Sequence, residues 1–230
     1  MVGAPALALL PSPFLGPAVW QPVRQLLTEL GWHVITPVPA AAPRTPSDVL
    51  AAYLAALPYD QDLILIPHSN AGLYAPAIAA ARPVLAFVFV DALLPARSGV
   101  INLTPPAAML ADLREKADVN GVLPPWTAWW EERDVAALFP DSTVRERVER
   151  EQRRLPLSYF AGSLVIPAGW DQRPGAYLAF GDTYVTDRTA AASRGWPVVK
   201  LAGAHLHMLV QPEQVASTIL AFVGEISPRS

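Results

Sequence analysis

L-I-L-I-P-H-S-N-A-G, residues Leu63 to Gly72, decides how the rest of the chain is read. Four apolar residues, half of them β-branched, run straight into a polar turn. A strand covered by helices on both faces of a parallel sheet has this pattern. Small, helix-tolerant residues follow at once, from Ala71 to Ala81. The chain is therefore expected to turn sharply from strand into helix with Ser69 at the apex. A serine there projects its hydroxyl beyond the sheet edge, and the first amides of the helix point at whatever it meets. The plainer alternative is an ordinary strand, turn and helix in which Ser69 only opens the helix.

Composition narrows the function classes. A chain of 230 residues with 52% hydrophobic content can bury one large core, so one domain with an insertion is expected. A net charge of -3 provides no basic surplus to neutralise phosphates, which argues against a nucleic-acid partner. The absence of cysteine excludes disulfides, thiolate catalysis and zinc-thiolate sites. The first ten residues lack a positive start and run directly into apolar sequence, so they do not read as a signal peptide. No apolar run approaches the roughly 20 residues of a membrane span. A soluble cytoplasmic protein with no membrane partner is expected. No glycine-rich phosphate loop is present, so no nucleotide cofactor is expected. Twenty-five prolines and only two lysines, Lys116 and Lys200, reflect a GC-rich genome or stiffened loops, not chemistry.

Ala6 to Leu10 reads as a strand ending in the loop P-S-P-F-L-G-P, residues 11 to 17. Val23, Leu26, Leu27 and Leu30 form one helical stripe that Gly31 ends, and His33 to Thr36 is the next strand. Ser47 is the expected cap of a second helix, striped by Leu50, Tyr53, Leu54 and Leu57. Pro76 is expected to kink the helix after Ser69. Val84 to Val90 is another buried strand, and it ends in Asp91. An acid at the C-terminal end of such a strand lies where open α/β sheets place their ligands. From Arg97 to about Gly175 the pattern changes: strands vanish and amphipathic helices take over. One carries Met109, Leu110 and Leu113. Another opens at Pro124-Pro125 and carries Trp126, Trp129 and Trp130. A third, 141–154, is laced with the expected i,i+4 pairs Glu146–Arg150 and Glu149–Arg153 and reads as a solvated face. Ala176 to Phe180 and Pro197 to Leu201 are the last strands. The second leads into G-A-H-L-H-M and a final helix opened by Pro212.

His68, Ser69 and Asn70 resemble the nucleophile elbow of the α/β-hydrolase superfamily, its serine-nucleophile branch with a helical cap. The usual pattern is Gly-x-Ser-x-Gly; here Pro67 and Ala71 stand at the outer positions and Gly72 follows. The Gly203-Ala204-His205 loop before the Pro-initiated last helix is similar to the family's catalytic histidine loop, and it favours His205 over His207. The resemblance implies an α/β fold: a mostly parallel open sheet of about six strands flanked by helices. The core would take residues 1–96 and 175–230, and a helical cap 97–174.

As implied by that resemblance, Ser69 attacks, His205 takes its proton, and an acid orients His205. The usual acid position after Gly181 holds Tyr184, with Asp182 and Asp187 nearby but displaced. V-D-A-L-L-P at residues 90–95 is similar to family members whose acid ends the earlier strand, and Asp91 is the expected acid. Asn70 N–H is expected in the oxyanion hole. Pro13 stands where the second amide donor belongs and has no N–H, so Phe14 is the substitute donor, or a pocket wall, or both. His68, Trp126 and Trp130 are the expected substrate-binding residues, with the tryptophans divided between cap core and pocket. His205 and His207 alternate along the chain and no third ligand suggests itself, so no metal is expected. Three readings of function stay open: a serine hydrolase of small, fairly apolar esters or related acyl compounds, a lyase or cyclase on the same groups, and a ligand-binding module with poor turnover.

Overall fold

The computed structural model describes residues 4–37 and 43–226. Strands β1 (Ala6–Leu10), β2 (Val34–Ile35), β3 (Leu63–Ser69), β4 (Val84–Ala92), β7 (Gly175–Phe180) and β8 (Val198–Leu201) form one parallel sheet in the order β2-β1-β3-β4-β7-β8. Every residue of β1, β3 and β7 is buried, which is why these segments carry unbroken apolar runs rather than alternation. Helices α1 (Gln21–Glu29), α2 (Pro46–Ala56), α3 (Ala75–Ala81), α7 (Val185–Ser193), α8 (His207–Val210) and α9 (Pro212–Ile226) flank the sheet; α1 packs on α9, and α2 on α3. Among the described residues no helix is long and apolar enough to cross a membrane.

Between β4 and β7 lie α4 (Ala107–Lys116), α5 (Glu132–Ala136) and α6 (Ser142–Glu151). The expected loss of strands in this segment is corrected. Strands β5 (Gly99–Asn102) and β6 (Ser163–Ile166) pair antiparallel and close the segment at its base. Val100, Ile101, Leu164 and Val165 are the apolar, mostly β-branched residues that make this ribbon. The tryptophan stripe is a single 3-10 turn, Trp126–Trp129, rather than an α-helix, so Trp130 falls just beyond it.

Other differences have local causes. The cap of α2 is Thr45, not Ser47. Thr45 accepts from the Asp48 amide, the Asp48 carboxylate accepts from the Thr45 amide, and Pro46 fills the first helical position. Pro76 kinks nothing, because the segment after Ser69 begins as a 3-10 turn, Asn70–Tyr74, and Pro76 lies in the first turn of α3, where no backbone bond is lost. On α6 the i,i+4 pair is Arg145–Glu149 at 2.8 Å rather than the expected Glu146–Arg150, and Arg145 also meets Glu132.

The ends of β3 and β4 meet at Gly72. A Cβ there would lie 2.0 Å from the Leu93 carbonyl oxygen and 3.3 Å from the Ala92 side chain. Gly72→Ala is therefore expected to cost about 3 kcal/mol, the upper end of an overpacking penalty. Gly224→Ala meets nothing within 4 Å and sits in α9, so it should be neutral or stabilising. Urea midpoints of the two variants check this contrast.

Candidate active site

Ser69 ends β3 with φ 58° and ψ -130°, a conformation that side chains other than glycine rarely adopt. Asp91 has φ 40°, and these are the only two non-glycine residues with positive φ among those described. Strain of this kind persists only where the surrounding structure fixes it. Both lie at the C-terminal ends of adjacent parallel strands, β3 and β4.

His205 comes between them from the loop after β8. Its Nδ1 lies 2.6 Å from Asp91 Oδ2, and its Nε2 lies 3.0 Å from Ser69 Oγ. The arrangement suits an imidazole that donates from Nδ1 to the carboxylate and accepts the serine proton at Nε2. The other Asp91 oxygen accepts from the Phe180 amide at 2.9 Å, so both carboxylate oxygens are engaged and the group is closed to solvent. Gly203 lets the histidine loop pass over His207: a Cβ on Gly203 would lie 2.4 Å from the His207 ring. His207 itself faces Phe180 and Gln214, away from Ser69.

The other acids near the loop have separate partners. Asp182 is exposed, and Lys200 at 2.7 Å, with Arg188 beyond, holds its carboxyl below the ordinary value. Asp187 accepts from the Leu94 amide at 2.7 Å, and burial raises its carboxyl above the ordinary value.

His68 corrects one expectation: it does not line the cavity. Its ring is wholly buried beneath His205, with centroids 4.5 Å apart, and its Nε2 donates to the His205 carbonyl at 3.0 Å. Burial, then the neighbouring His205, pushes its pKa well below 6.5. The ring is a neutral support that fixes the backbone of the histidine loop from below.

A cavity of about 700 Å³ opens above Ser69. Phe14, Asn70, Trp126, Trp130 and His205 line it, and so does Trp129, which the sequence reading had not assigned to it. Trp126 lies 5.7 Å from the His205 ring, and Trp130 is the exposed member at the rim. Phe14 packs against Trp129 and Tyr159 with centroids 4.9 and 5.3 Å apart, so it is a wall of the cavity. In its loop the Leu15 and Gly16 amides both turn back to the Ser12 carbonyl. The Phe14 N–H has no hydrogen-bond acceptor among the described residues. The Asn70 side chain is held by the Tyr159 hydroxyl at 2.6 Å, which in turn meets the Tyr74 hydroxyl at 2.6 Å. Tyr159 belongs to the segment between β4 and β7, and no motif announced it.

Among the described residues no cluster of three or more histidines, cysteines or acids is placed to hold a metal. No family model matches the chain. No curated protein matches it either. Solved structures do match. A variant of tomato methylketone synthase I complexed with beta-ketoheptanoate superposes with a TM-score of 0.75 at 18% identity, over 98% of this chain and 99% of that one. An extracellular alpha/beta-hydrolase from a Paenibacillus species gives 0.71 at 15% identity, over 95% and 98%. A polyneuridine aldehyde esterase mutant gives 0.65 at 17%, over 95% and 99%. The chain has the α/β-hydrolase fold, as the elbow and histidine loop led us to expect.

The buried His68 has a pH consequence. Its folded pKa lies below 6.5, so below that pH the unfolded chain binds a proton the folded chain refuses. Stability is therefore lost as pH falls from about 6.5, at up to about 1.4 kcal/mol per pH unit for this one group. His68→Gln keeps a donor for the His205 carbonyl and removes the titration. Denaturation of both proteins between pH 7 and 5 should show a shallower pH slope for the variant; superimposable slopes would clear His68 of that role.

Proposed function

We propose that the protein is a serine hydrolase that cleaves a small, fairly apolar ester or related acyl compound. One observation carries this reading. A continuous hydrogen-bonded chain from Asp91 through His205 to Ser69, with steps of 2.6 and 3.0 Å, lies at the floor of a cavity walled by leucine, tryptophan and phenylalanine. The names of several structural neighbours, an esterase and a hydrolase among them, agree with the hydrolase class.

In this mechanism Ser69 Oγ attacks the acyl carbon while its proton passes to His205 Nε2, and Asp91 stabilises the imidazolium and holds its tautomer. The oxyanion falls to the Asn70 N–H, which opens the 3-10 turn and has no partner within it, and to the Phe14 N–H, which has no acceptor among the described residues. The apolar walls favour the acyl or alcohol portion of an uncharged substrate. Collapse expels the alcohol with the His205 proton, and water then repeats the sequence to release the acid. A small-molecule substrate and a cytoplasmic location belong to the same proposal and rest on the sequence.

Pro13 favours a second reading, because the residue at the usual donor position has no amide to give. In that reading the site runs lyase or cyclase chemistry, or binds a ligand with poor turnover. Burst release from p-nitrophenyl esters separates the two, since only an acyl-enzyme produces it.

A fluorophosphonate probe should label the wild-type protein, and Ser69→Ala should lose labelling and ester hydrolysis together; labelling that survives removes Ser69 from the role. Asp91→Asn should lower kcat on p-nitrophenyl esters by about 10,000-fold, as expected when the histidine loses its orienting acid. Asp182→Asn should be mild, because that carboxylate is occupied by Lys200 at the surface. The reverse order would move the acid to Asp182.

A further inference from the structure

Tyr184 stands where the usual triad acid belongs, and it takes no part in the proton path from Ser69 to Asp91. Its hydroxyl lies 3.4 Å from Ser69 Oγ, its ring centroid lies 5.7 Å from that of His205, and it lines the cavity. The position just before α7 aims the side chain back over the ends of β3 and β4. Resting on the hydrolase reading, we infer that Tyr184 is a catalytic residue whose hydroxyl hydrogen-bonds the leaving-group oxygen as the acyl–oxygen bond breaks.

Sheet order supplies the direction. Phe14 follows β1, on one side of the Ser69 strand; Tyr184 follows β7 and His205 follows β8, both on the other side. A tetrahedral centre on Ser69 Oγ that points its oxyanion toward Asn70 and Phe14 must turn its alkoxy oxygen toward His205, which has to protonate it. Tyr184 shares that side. As the new Oγ–carbon bond forms, the carbonyl electron pair moves to the oxyanion and the serine proton moves to His205. On collapse the carbon–alkoxy bond breaks, its electron pair stays on the alkoxy oxygen, and His205 returns the proton there. Tyr184 donates a hydrogen bond throughout and keeps its own proton. Burial pushes its hydroxyl far above the ordinary tyrosine value, so it remains a donor at every working pH. The contact to Ser69 is long without substrate, as such contacts are before the reacting groups close.

The test is Tyr184→Phe, which removes one oxygen and keeps the ring, assayed on esters of one short acyl group with p-nitrophenyl or alkyl leaving groups. A p-nitrophenolate leaves without help, whereas an alkoxide needs a donor. The variant should keep p-nitrophenyl ester kcat within a few-fold and lose roughly 100-fold on alkyl esters, the low end of what a positioned acid–base group supplies. An equal loss on both esters would overturn the proposal in favour of an oxyanion role, and no loss on either would reduce Tyr184 to packing. Fluorophosphonate labelling, which expels fluoride, should persist in the variant. A wild-type protein that neither labels nor hydrolyses either ester would instead sink the hydrolase reading beneath it.

Discussion

The Leu93 amide donates to the Ser69 carbonyl at 3.1 Å, and the rest of the site depends on that bond. It ties together the ends of β3 and β4 just where both strands leave ordinary extended geometry. Ser69 and Asp91 sit in positive-φ conformations that cost on the order of 1–3 kcal/mol each and persist only when surrounded by fixed partners. Those partners are present. Gly72 has no Cβ to push Leu93 away, and the buried Tyr177 hydroxyl bonds both polar backbone groups of Ala92 beside Asp91. A hydroxyl and a carboxylate are thereby held at one sheet edge, on neighbouring strands, with room between them for one imidazole.

Burial turns this geometry into chemistry. Asp91 is shielded from water, so its hydrogen bond to His205 lies in a medium far less screening than solvent. A buried carboxyl group needs partners, and the Phe180 amide and His205 engage both of its oxygens. His68 secures the same loop from below without adding a second charge, because its own burial keeps it neutral. The two histidines thus differ because their surroundings differ: His205 reaches both Ser69 and Asp91, whereas His68 is wholly enclosed beneath it.

The segment between β4 and β7 completes the cavity and is tied to the elbow by polar groups as well as by packing. Tyr74, on the core, and Tyr159, on that segment, share a short hydroxyl contact, and Tyr159 continues it to the Asn70 side chain. With its oxygen taken by the Tyr159 hydroxyl, the Asn70 side chain is fixed next to Ser69. Phe14, Trp129 and Phe160 pack together on the same boundary, so the loop that could supply a second amide is held by the segment that roofs the pocket.

Local sequence carried the sheet, the elbow and the histidine loop, because each is written in neighbouring residues: unbroken apolar runs for strands buried on both faces, Ser69 between a strand and small residues, Gly203 two residues before His205. The same local signals misled where tertiary context competes with them. Ser47 looked like a cap, yet Thr45 reaches Asp48. The tryptophan spacing looked α-helical, yet the segment makes one 3-10 turn. His68 beside Ser69 looked like a pocket residue, yet the strand's alternation sends it under His205. The contacts that matter most join residues 114 and 136 positions apart, His205 with Asp91 and with Ser69. Sequence by itself determined which residue types stand at each strand end. Only the tertiary structure decided that Asp91 rather than Asp182 faces His205 and that Tyr184 reaches Ser69. The order and crossing of parallel strands bring those ends together, and no periodicity within a single strand or helix encodes that order.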